Sequence, residues 1–154
     1  MIFDQFIKEY SRKGLIKPQK TSFTSIERLI SRSYKEIKVA EANLKIDEGI
    51  AFTIAYTAML HAGRALMLFK GYRPSDGYQH KTVVDFAAII LGEKYKTLVQ
   101  HFDKMRKKRN IFTYEVSISI SETEVKNALK SAIDFIKAVR HIIEKENPQH
   151  TFKF

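Results

Sequence analysis

The chain has 154 residues, room for one domain of ordinary size. It has no cysteine, which excludes a disulfide framework, a thiolate zinc site and a cysteine nucleophile; with 3 prolines and 6 glycines it is too poor in turn formers for a β-sandwich. Its 27 Lys and Arg against 17 Asp and Glu give a formal charge of +10, which suits an anionic partner such as RNA, DNA or an acidic protein.

Helical periodicity dominates and no two-residue alternation stands out, so the fold class is all-α, an up-and-down bundle of four to five main helices with short additions. A first short helix is predicted at Phe3–Lys13, stopped by Gly14, and Lys17–Ser22 reads as a polar linker. Asp4 stands where a secretory leader would carry positive charge. Thr24 with Glu27 reads as a capping box that opens the second helix. Its inward stripe is Ile26, Leu29, Ile30, Ser33, Ile37, Ala40 and Leu44, and Asp47–Gly49 breaks it. The third helix, Ile50–Lys70, is apolar nearly all round and belongs in the centre of the bundle. Its most apolar stretch, Ile50–Phe69, holds His61 and Arg64 beside two threonines, so it reads as a buried helix rather than a membrane span. The expected location is cytoplasmic, with no membrane contact. Tyr72–Gln79 reads as a loop, followed by helices at Lys81–Leu91 and Glu93–Phe112. Ser121 with Glu124 is a second capping box, opening a last helix at Glu122–Glu146 that Pro148 ends. The domain is single, residues 1–154, with its core at about 24–146 and residues 1–23 as a short N-terminal helix and linker.

Two features carry candidate chemistry. The Glu93–Phe112 helix turns Leu98, Phe102, Met105, Arg109 and Phe112 to one side, so Arg109 sits where the pattern asks for an apolar residue. A guanidinium stays charged, so it must meet a carboxylate, snorkel out, or line a groove that binds an anion. Arg106, Lys107 and Lys108 precede it, and four successive cations are easiest to place near phosphate. The second feature is the polar strip Thr53, Thr57, His61 and Arg64 on the third helix. An isolated histidine in such a strip is more often a seam residue than a ligand; His61 and Arg64 are nonetheless candidate phosphate contacts. His80 and His101 have no partners at metal-ligand spacing, so neither a metal nor another cofactor is expected. Tyr72, Tyr78 and Tyr95 are of the type that stacks on bases, though scattered aromatics usually pack.

Four segments resemble, in order, the HEPN domains (higher eukaryotes and prokaryotes nucleotide-binding). Ala55–Leu66 is similar to the second-helix signature, Lys70–Pro74 to the turn after it, Gly77–Val84 to the next helix start, and Arg106–Glu115 to the late Arg-Asn segment. The likeness covers about residues 24–145. It implies a helical bundle that dimerises, found among toxins of toxin–antitoxin pairs or beside a minimal nucleotidyltransferase. Active members cleave RNA without metal, through an Arg, four to six intervening residues and a His, brought together across a dimer groove. By that likeness Arg109 takes the place of the Arg and Asn110 that of the polar residue after it. The His position falls on Tyr114. The tyrosine that a nucleotidyltransferase modifies in some relatives falls on Val116.

A free phenol is only about 0.1% ionised at neutral pH, so Tyr114 is a poor general base, though able to donate a hydrogen bond or a proton. Two functions from different classes follow. One is RNA or nucleotide phosphate binding in a dimer groove, extending to a toxin-like metal-independent endoribonuclease with Arg109, Asn110 and Tyr114 as its degenerate motif. The other is a non-catalytic interaction subunit partnering a nucleotidyltransferase. The groove reading requires two protomers, so light scattering at micromolar concentration is expected to give a homodimer, with roughly 1,200–2,000 Å² buried between the copies; a monomer counts heavily against the groove.

Overall fold

The computed structural model describes residues 1–77, 79–115, 118–147 and 152. Among them are six α-helices: α1 (Phe3–Arg12), α2 (Phe23–Asn43), α3 (Glu48–Phe69), α4 (His80–Leu91), α5 (Lys96–Tyr114) and α6 (Glu122–Glu146). A 3-10 turn, Glu93–Tyr95, leads into α5, and two three-residue strands, β1 (Ile16–Pro18) and β2 (Tyr72–Pro74), complete the fold. The class is all-α, as the periodicity predicts.

The bundle is organised by α3. It is long and apolar enough, by length and composition, to cross a membrane. In the fold its apolar surface is instead covered by protein, with α2, α4, α5 and α6 all packed against it. Ala55, Ala58, Met59, Ala62, Ala65, Leu66 and Met67 are sealed from solvent. Fully burying one large aliphatic side chain stabilises by about 1.5–3 kcal/mol, so a helix buried on most of its sides secures the whole bundle.

Two glycines set how closely α3 is approached. A Cβ on Gly49 would collide with the Phe112 ring of α5, and one on Gly63 would lie 2.5 Å from Cγ1 of Val83 on α4. Gly49 is therefore part of α3 rather than a break before it. The helix starts two residues earlier than predicted, at Glu48, because Asp47 caps it by accepting from the Ile50 amide at 3.0 Å.

Three further expectations are corrected. α2 opens at Ser22, whose extended backbone and hydroxyl accept the Ser25 amide at 3.2 Å, so Thr24 and Glu27 lie inside the helix and form no capping box. The stretches read as linker and loop contain β1 and β2, antiparallel with Ile16 opposite Pro74, Lys17 opposite Arg73 and Pro18 opposite Tyr72. Strands of three residues are too short for an alternation to show, and their pairing is fixed by distant contacts. The fifth helix begins only at Lys96, because Gly92 with φ of 74° turns the chain and a 3-10 turn intervenes. The box at Ser121 and Glu124 forms as read, with the hydroxyl accepting the Glu124 amide at 3.1 Å and the carboxylate accepting the Ser121 amide at 3.3 Å. Pro148 lies outside the described residues.

Residues 1–23 are built into the fold. Phe6 and Ile16 are 2% and 3% exposed. Phe6 stacks on Tyr10 with ring centroids 3.9 Å apart and meets Phe86 of α4 edge-on at 5.6 Å. Tyr10 donates its hydroxyl to Asp85 of α4 at 2.8 Å.

Gly63→Ala tests the α3–α4 approach. Alanine gains about 1 kcal/mol in helix propensity, but overpacking a sealed contact costs typically 1–3 kcal/mol. A net loss of roughly 1 kcal/mol is expected in urea unfolding; a gain would show that Val83 moves aside freely.

Candidate functional site

The packing of α4 and α5 against α3 brings the start of one beside the end of the other. Between them lies a cleft of about 470 Å³. Gln79, His80, Lys81, Thr82 and Asp85 line it from the α4 side, Arg106, Arg109, Asn110 and Tyr114 from α5, and Leu15 closes it from the N-terminal segment.

The four successive cations separate once their partners are known. Arg106 Nε lies 2.9 Å from Asp103 Oδ1, and Lys107 Nζ 3.3 Å from Asp103 Oδ2. Lys108 turns away, 3.4 Å from Glu124 of α6. Burial pushes the Asp103 carboxyl up, but hydrogen bonds and charge from Arg106 and Lys107 outweigh it and hold the group below the usual carboxylate range. Arg109 differs from the other three. Its guanidinium is half-buried, and its side-chain hydrogen bond goes to the Asn110 amide oxygen at a long 3.4 Å. Among the described residues no carboxylate pairs with it. A partly desolvated cation without a counter-charge, set in a cleft, is the environment in which an anion gains most.

Tyr114 lies at the end of α5 with 82% of its surface exposed, on the cleft wall. Val116 lies outside the described residues. The other sequence candidates lie elsewhere. Nδ1 of His61 sits 2.7 Å from Glu36 Oε1, a seam contact between α2 and α3. Thr53 and Thr57 donate to backbone carbonyls one turn back, at 3.0 and 2.9 Å. Arg64 donates to the Gly77 carbonyl at 3.3 Å and lines a neighbouring cleft with Arg73. Tyr72 packs edge-on to Phe3, Tyr95 lies under the Lys94 ammonium, and Tyr78 is outside the described residues. The structure thus gathers Arg106, Arg109, Asn110 and Tyr114, and leaves out Lys107, Lys108, His61 and Arg64. A larger cleft of about 780 Å³ between α5 and α6 contains no arginine and carries Glu124 and Asp134 on its wall.

The residue that sequence reasoning missed is His80. It is the first residue of α4, half-buried, on the same cleft wall as Arg109. Its Nδ1 lies 3.0 Å from the hydroxyl of Tyr56, a side chain of α3 sealed at 1% exposure. Burial pushes the Tyr56 hydroxyl up to about 12, so it stays a neutral phenol. The His80 ring is held below the usual histidine range, first by burial and then by the charges of Arg109 and Arg64, against which the Gly77 carbonyl acts only in part. The one sequence signal was position, a histidine at a helix start within a motif-like segment.

A titration of the His80 ring by NMR is expected to show a midpoint below the ordinary ~6.5, and Arg109→Ala is expected to raise it. Because the folded chain favours the neutral ring, the unfolded chain binds more protons between the two midpoints, so this group's contribution to stability is lost as pH falls below about 6.5. A midpoint unmoved by Arg109→Ala would place that guanidinium electrically away from the ring.

Arg109 and Asn110 both line this cleft. The family model of the HEPN domain matches residues 26–142, more than half of the chain. No curated protein matches the chain.

Proposed function

Since the chain belongs to the HEPN domain family, we propose that the cleft between α4 and α5 binds the phosphate of RNA or of a nucleotide, with Arg109 as its principal ligand. The observation that carries this reading is that Arg109, alone among four successive cations, faces the cleft without a carboxylate. The other three have partners, so an incoming phosphate at Arg109 does not compete with an internal ion pair. Arg106 shares the cleft but is tied to Asp103, and it adds positive field rather than a free fork.

In this proposal two protomers bring their clefts into one groove. Support comes from the exposed apolar side chains at this end of the bundle: Ile46, Ile50, Ile111 and Tyr114 are 78%, 49%, 45% and 82% exposed. Cleavage of the bound RNA in the manner of a toxin is a further step, since Tyr114 stands at the position of the motif histidine.

The test is binding of a short single-stranded RNA as salt is varied. Affinity is expected to fall with salt, each phosphate contact adding about 0.7 to the log–log slope. Arg109→Ala is expected to weaken binding roughly 10- to 100-fold, the range of a charged hydrogen bond, and to flatten the slope. Binding that ignores salt, or survives Arg109→Ala unchanged, removes the proposed site.

A further inference from the structure

We propose that the groove between α5 and α6 docks an acidic amphipathic helix of a partner protein. The groove lies apart from the cleft between α4 and α5, and the proposal does not depend on what that cleft binds.

The shape of the groove comes from how two helices lie on α3. Lys108 of α5 meets Glu124 of α6 at 3.4 Å. Two turns back along α5 and two turns on along α6, Nδ1 of His101 lies 3.1 Å from the Ser131 hydroxyl. The two helices therefore run antiparallel, side by side. Residues 98 to 108 of one and 124 to 134 of the other form the walls of a cavity of about 780 Å³. At a rise of about 1.5 Å per residue each wall is roughly 15 Å long, nearly three turns of a further helix laid between them. Phe52 of α3 also lines the groove, so the walls part as far as the central helix. With Leu98, Met105 and Ala128 it makes an apolar floor. A helix that lays one apolar stripe into a groove needs this combination of length and floor.

Charge selects the partner. Lys94, Lys104, Lys108 and Lys130 line the groove against two carboxylates, Glu124 and Asp134. Glu124 is already engaged, by Lys108 and by the Ser121 amide of the helix cap. Lys104 and Lys130 are exposed, and among the described residues neither pairs with a carboxylate. The ammonium of Lys94 sits 5.5 Å from the centre of the Tyr95 ring. These cations are spread along both walls rather than gathered at one point, so they complement a row of carboxylates better than a single anionic group. An RNA strand is the poorer match. Its phosphates would meet Glu124 and Asp134, and along the middle of the floor Leu98, Met105 and Ala128 offer bases no ring to stack on. A helix with leucines flanked by glutamates puts its aliphatic side chains on that floor and its carboxylates beside Lys104 and Lys130.

The probe is a fluorescent synthetic peptide of about four helical turns, with leucines spaced three and four apart and glutamates on both sides of that stripe. It is titrated into the full chain beside a scrambled peptide of the same composition, and binding is read by anisotropy. The patterned peptide is expected to bind with a micromolar Kd and to gain helicity by circular dichroism, and the scrambled one to bind about tenfold more weakly or not at all. The double variant Lys104→Glu, Lys130→Glu is expected to weaken binding of the patterned peptide roughly 5- to 30-fold. The same variant is expected to prefer a peptide flanked by lysines, the reverse of wild type. Both positions are exposed, and an unchanged thermal melt checks the fold. Lys137→Glu, on the same helix but outside the groove, is expected to leave binding within about twofold. No binding of the patterned peptide at millimolar concentration, equal binding of the scrambled one, or indifference to the double variant overturns the proposal. Loss of binding to a short single-stranded RNA in the double variant, with peptide binding intact, assigns the lysines to nucleic acid and overturns it as well.

Discussion

The burial of α3 is the constraint from which the remaining architecture follows. A helix that is apolar on most of its sides cannot face water, and four helices are needed to cover it. Covering it closely needs Gly49 and Gly63, because at both points a methyl group would meet a neighbouring helix. Phe112 over Gly49 brings the end of α5 to the start of α3, and Val83 beside Gly63 brings α4 down onto its middle. These two approaches determine where the cleft lies. The functional side chains sit on helix ends, but their positions are set by close contacts in the core.

The charge pattern follows from the same packing. Along α5 the cations at 106, 107, 108 and 109 are chemically alike, yet the helix turns them toward different neighbours. Asp103 lies three or four residues before Arg106 and Lys107, the spacing at which helical side chains meet. Lys108 faces α6 and Glu124. Arg109 faces α4, whose nearest carboxylate, Asp85, is taken by Lys81 and Tyr10. The uncompensated charge thus arises from how other pairs are satisfied.

The major helices were legible because each buries a stripe long enough to repeat, and α3 was legible because its apolar surface does not narrow to a stripe. Arg109 was legible as an apolar position occupied by a cation. The strands were not, since three residues show no period. The start of α2 was misplaced by two residues because Ser22 and Thr24 are both good caps, and the choice between them rests on a backbone angle that sequence does not express. The environment of His80 was hidden for a different reason: Tyr56 is 24 residues away and Arg109 is 29, and only the packing of α3, α4 and α5 makes them neighbours. Glu36 was likewise hidden, a carboxylate on a mostly apolar stripe whose partner, His61, belongs to another helix.

The tie between the first twenty residues and α4 bears on what counts as a unit. The segment matched by the family begins at residue 26, yet Leu15 forms part of the cleft wall and Tyr10 holds Asp85. Phe3 and Phe6 pack on the rings of Phe86 and Tyr72, and Ile16 pairs with Pro74 of β2. The evolutionary segment and the mechanical one are therefore different lengths. A chain trimmed to the former would keep the helices that define its ancestry, but it would lose one wall of the cleft and the hydroxyl that shares Asp85 with Lys81.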